Sequence, residues 1–167
     1  MENHQPITID ISKDLVAQYL FSLRHHEEEV GLVLKGHLFI EYVLNEVIRK
    51  RFRTPASILN DHRSYTFAVK LQIIYSAGYL PAYLFTNIRR VNRLRNHLAH
   101  NLTLDLDESQ FKFTRSDGME TLIKKGKRPY YPVRHYCKML CYATISQLRN
   151  HFALEFGKWP VHPDVEI

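Results

Sequence analysis

The chain has 167 residues, 45% of them apolar, with 6 Gly and 7 Pro. That length and composition fit one globular domain, residues 1–167, with its own core, and exclude a disordered or low-complexity polypeptide. Lys and Arg number 23 against 17 Asp and Glu, a formal charge of +6, which favours anionic partners, nucleic acid first among them.

Residues 1–10 are polar, against a secretory signal, and no stretch approaches the ~20 apolar residues of a membrane span, so no membrane partner is expected. Ser12 is placed to cap a first helix reaching His26, with Leu15, Tyr19, Leu20 and Leu23 as its apolar stripe. Glu27 to Arg53 reads as a long second helix, acidic at its start and basic at its end (Arg49, Lys50, Arg51, Arg53), in keeping with the helix dipole, and Pro55 is expected to end it. After a loop over Asn60–Ser64, a third helix is predicted over Thr66–Ala77, stopped by Gly78, and a fourth over Ala82–His100. Period-two alternation then appears in Leu102–Asp107 and Phe111–Thr114. Ser116-Asp117-Gly118 is a turn, so Gln110–Arg115 and Met119–Lys124 are expected to form a hairpin. A basic loop, Lys124-Lys125-Gly126-Lys127-Arg128, follows. A last helix is predicted over Val133–Phe156, with Cys137, Leu140, Thr144, Leu148 and Phe152 on one face, and an extended tail from Gly157. The expected fold is mainly α: an up-and-down bundle of about five helices with a β-hairpin and basic-loop insertion, residues 102–132, before the last helix. Cys137 and Cys141, one helical turn apart, suit neither a disulfide nor zinc spacing and are expected as core thiols, which implies a reducing, cytoplasmic compartment.

Chemistry concentrates at the end of the fourth helix, in Arg95-Asn96-His97-Leu98-Ala99-His100. A guanidinium steadies a phosphate gaining negative charge, and an imidazole moves a proton near neutral pH, so the two together can cut RNA without a metal. At about 100° per residue, Leu84, Ile88, Val91, Leu94 and Leu98 form an apolar arc, with Arg89, Arg93, Asn96 and His100 opposite. Arg95 falls inside the arc, about 140° from His100. Either the helix distorts near Ala99 or a twofold partner brings a second copy of the motif alongside. A buried Arg95 would need a carboxylate, and Glu41, in the apolar stretch Leu38–Leu44, is the expected partner. A metal site on His97 and His100 lacks a third ligand at useful spacing; neither a metal nor a cofactor is expected.

Arg95, Asn96 and His100 match the arginine, polar residue and histidine of the HEPN superfamily, small helical bundles that include ribonucleases, and the chain resembles that superfamily. Gly36-His37-Leu38-Phe39-Ile40-Glu41 and Phe67-Ala68-Val69-Lys70-Leu71 through Gly78-Tyr79-Leu80 are similar to its mannitol-repressor branch. The resemblance spans roughly residues 28–101. It implies a homodimeric, metal-independent endoribonuclease, a toxin or defence enzyme, in which His100 promotes attack of a ribose 2′-hydroxyl, Arg95 stabilises the charged transition state and Asn96 orients the histidine or substrate. Arg89, Arg93, His97, Lys124, Lys125, Lys127 and Arg128 would hold the RNA, with Tyr130 and Tyr131 as stacking candidates. The mannitol-repressor likeness implies an alternative, a non-catalytic regulatory scaffold with a protein partner. An antitoxin that modifies a tyrosine two positions after the histidine is not expected, because Leu102 stands there.

Overall fold

The computed structural model describes residues 10–11, 29–100, 112–122, 132–152 and 155–156. It is mainly helical, with a small antiparallel hairpin before the last helix. The elements in chain order are β1 (Asp10–Ile11), α1 (Glu29–Arg51), α2 (Pro55–Leu59), α3 (Phe67–Ser76), α4 (Ala82–His100), β2 (Lys112–Thr114), β3 (Glu120–Leu122), α5 (Pro132–Phe152) and β4 (Glu155–Phe156). The expected first helix and the alternating segment Leu102–Asp107 lie outside the described residues, as do Lys124, Lys125, Lys127, Arg128, Tyr130 and Tyr131.

Helical periodicity sets which residues go inside. Along α1, Leu32, Val33, Phe39, Ile40, Val43, Leu44, Val47 and Ile48 are buried, and from Phe39 on they recur at three- and four-residue intervals, the spacing of one helix face. That face meets α5 and α4, which also pack on each other, while α2 and α3 flank α1. The predicted arc of α4 (Leu84, Ile88, Val91, Leu94, Leu98) and the predicted face of α5 (Cys137, Leu140, Thr144, Leu148, Phe152) are all buried. Both cysteines are free and buried, and burial pushes the Cys141 thiol well up, which suits a packing role and not a reactive one.

Helix ends follow local chemistry. Thr66 stands extended (φ −64°, ψ 166°) before α3, and Gly78 at φ +78° ends it. The Gly78 N–H donates to Tyr75 O at 2.9 Å and the Tyr79 N–H to Ile74 O at 3.1 Å, the paired bonds of a Schellman cap. The Ser116–Gly118 turn forms as expected: the Gly118 N–H donates to Arg115 O and the Arg115 N–H to Met119 O, both at 2.9 Å, with Gly118 at φ +83°. The register pairs Lys112 with Leu122, Phe113 with Thr121 and Thr114 with Glu120.

The helix predicted to reach Arg53 ends at Arg51, and two further boundaries differ from expectation. Pro55 does more than follow α1: it opens the short helix α2 at its first turn, where a missing N–H costs nothing and its fixed φ is already helical. The last helix ends at Phe152, not Phe156, because Glu155 and Phe156 pair in parallel with Asp10 and Ile11. That pairing joins segments over 140 residues apart, so local periodicity carries no trace of it.

Candidate functional site

α4 carries four arginines, Arg89, Arg90, Arg93 and Arg95, and no acidic residue. The core packing of its apolar arc decides where they go. Arg89 and Arg93 are exposed, as is Asn96, and Arg95 and His97 are half-buried. Among the described residues, no carboxylate pairs with Arg89 or Arg93. Arg89 instead lies over the Phe85 ring, 5.5 Å from its centroid, and Phe85 is stacked on Tyr75 at 4.2 Å and 16°, so an aromatic pair backs that guanidinium.

Arg95 Nη1 donates to Asn96 Oδ1 at 3.2 Å, which brings two members of the motif together. Glu41, expected beside Arg95, has its ion pair with Lys70 of α3. Lys70, only 2% exposed, donates through Nζ to Asn45 Oδ1 at 3.1 Å and to Glu41 Oε1 at 3.5 Å. A buried ammonium needs acceptors on several sides, and α1 supplies two of them one turn apart. α4 is helical from Ala82 through His100, so the helix continues past Ala99. By helical arithmetic the positions of Arg95 and His100 lie about 140° apart around the axis of α4. The side chain of His100 is outside the described set.

His37 was not singled out as a functional residue by its sequence context, yet it joins the site from α1. It is 6% exposed, its ring lies 4.0 Å from that of Phe67, and its Nε2 meets Asn92 Oδ1 at 3.0 Å. A carbonyl oxygen only accepts, so Nε2 carries the proton. Burial lowers the imidazole's pKa below its ordinary value, and the Arg95 charge acts in the same direction; the Asn92 bond and Glu41 oppose them. The signal was available in the sequence: His37, Glu41 and Asn45 recur every four residues along α1, one polar seam.

A second polar cluster attaches the hairpin. Asn87, fully buried, donates through Nδ2 to Thr114 O at 2.7 Å and to Gln147 Oε1 at 2.9 Å, and its Oδ1 accepts from the Thr114 N–H at 2.9 Å. The side-chain amide thus bonds the strand backbone as a neighbouring strand would. Arg90 reinforces the contact, donating to Thr114 Oγ1 at 2.7 Å and pairing with Glu120. The Tyr136 phenol on α5 meets the Lys112 backbone, its pKa pushed up to about 12 by burial.

Between α3 and α4 a groove of about 340 Å³ is lined by Ala68, Leu71 and Gln72 on one side and Phe85, Arg89, Asn92 and Arg93 on the other. Its charged groups are all guanidinium, which suits it to anions. Among the described residues, no three His, Cys, Asp or Glu side chains are grouped to hold a metal, and no helix is long and apolar enough to cross a membrane. Comparisons with protein-family models, curated proteins and solved structures return no match.

Proposed function

We propose that the chain binds RNA along the outer face of α4 and cleaves it without a metal. In the reaction His100 takes the proton of a ribose 2′-hydroxyl as its oxygen attacks the adjacent phosphorus. The 5′-oxygen leaves with a proton returned to it, and a cyclic phosphate end remains. Arg95 stabilises the charge gathering on the phosphoryl oxygens and Asn96 holds the arginine or the substrate. A twofold copy of the chain would bring Arg95 of one subunit toward His100 of the other. One observation carries the reading: the exposed Arg89 and Arg93, with no carboxylate partner among the described residues, lie on the helix that leads to the Arg95–Asn96 pair and His100.

The test is cleavage of single-stranded RNA by purified protein in EDTA. The expected result is activity that His100→Ala abolishes, with a cyclic phosphate on the product. Folded Arg95→Ala protein with full activity would shift the arginine's role to Arg93. Wild-type protein that leaves RNA intact at low salt sinks the enzyme reading. A protein-binding scaffold then leads, favoured by Leu34 and Leu38, one turn apart on α1 and 38% and 60% exposed.

A further inference from the structure

The groove between α3 and α4 has a specific inner edge. Asn92 lines it with its carbonyl oxygen engaged by the buried His37. Fixing the oxygen fixes the whole planar amide, so the two N–H bonds of the other end have a set direction. Among the described residues no acceptor meets them. Arg89 and Arg93, one turn apart on α4, line the same groove as Asn92. Three donor groups therefore face one concavity that has no carboxylate in its lining. The opposite wall presents the apolar Ala68 and Leu71, with Gln72 beside them.

We propose that this groove is a receptor for one phosphate ester, with Asn92 Nδ2 and the Arg89 and Arg93 guanidiniums donating to its oxygens and the organic part lying along Ala68 and Leu71. The donor set contains no acceptor side that would prefer a cation. The volume falls at the small end of the range for small-molecule sites, about 300–1,000 Å³, enough for one phosphate-bearing unit. Arg93 stands seven positions before His100, about 10 Å along the helix axis. An RNA strand held for cleavage would thus rest a neighbouring phosphate here, and that source rests on the ribonuclease reading. A free nucleotide supplies the same phosphate chemistry and does not.

The experiment titrates ¹⁵N-labelled full-length His100→Ala protein, which leaves RNA intact under the reading above, with AMP, adenosine, inorganic phosphate and a short single-stranded oligoadenylate. The readouts are the Asn92 side-chain amide and the Arg89 and Arg93 Nε–H signals. AMP or the oligonucleotide is expected to move all three, and adenosine to leave them in place. Arg89→Gln with Arg93→Gln, both at exposed positions and checked by thermal melting, is expected to weaken AMP binding about tenfold or more. A response to the oligonucleotide and not to AMP assigns the groove to the strand; the reverse assigns it to a free nucleotide. Adenosine acting as well as AMP, AMP binding that survives the double substitution, or signals unmoved by any phosphate ester overturns the receptor. The two readings fail separately: RNA cleavage with a silent Asn92 rejects the receptor alone, and AMP binding by a wild-type protein that cuts no RNA rejects the nuclease alone.

Discussion

His37 sits between the Phe67 ring and the Asn92 amide, so a second proton on its ring would place a cation where little water reaches. The folded chain therefore holds that proton less tightly than the unfolded chain, whose histidine titrates near 6.5. Below that pH the unfolded state binds more protons, and stability falls as the solution is acidified; above it the contribution is complete. Melting temperature is expected to drop as pH falls below about 6.5, and His37→Gln to flatten part of that slope. Equal slopes for the two proteins in the same buffers would show that His37 does not titrate as described. At this scale the sequence was only partly legible. Arg95, Asn96 and His100 stand out because they are close along one helix. The Lys70–Glu41 pair joins residues 29 positions apart, and Lys70 looks like any surface lysine until α3 is laid on α1.

Elements read better than residues, because their causes are local. The Gly78 stop, the Ser116–Gly118 turn and the buried arc of α4 each follow from side chains within a few positions of one another. The hairpin's attachment does not. It depends on Asn87 satisfying both the N–H and the O of Thr114, 27 residues away. Asn87→Ala leaves the buried Thr114 N–H and Gln147 Oε1 short of partners and is expected to cost about 2–4 kcal/mol in urea unfolding. The Thr114 amide should also exchange with solvent faster than in the wild type. An unchanged exchange rate would mean that Arg90 and Gln147 hold the hairpin without it. Pro55 shows the limit of a one-residue signal, since the same ring that ends one helix opens the next.

At the scale of the whole molecule, the packing of α1, α4 and α5 keeps the apolar side of α4 inward and turns Arg89 and Arg93 outward. The proposed chemistry then needs two copies, because a regular α4 separates Arg95 from His100 around the helix. Arg95→Ala and His100→Ala proteins, each expected to be inactive alone, should recover RNA cleavage when mixed under conditions that exchange subunits, since one composite site in the mixed dimer keeps both groups. No recovery, with both variants folded and dimeric by sedimentation, would place the two groups in the same subunit or in no common site. The charge of +6 makes a further demand: RNA affinity should fall steeply with added salt as phosphate contacts are screened and counterions return.

From the sequence alone came the helical class, the hairpin turn and the inward faces of α4 and α5. Each depends on periodicity or on turn chemistry over a few positions, which a linear chain displays directly. Only the tertiary structure decided that Lys70 and not Arg95 pairs with Glu41, that His37 sets the Asn92 amide, that Asn87 holds the hairpin, and that Glu155–Phe156 lies beside Asp10–Ile11. Those contacts join distant segments, and a buried polar group takes whichever partner the packing of the apolar faces brings within reach.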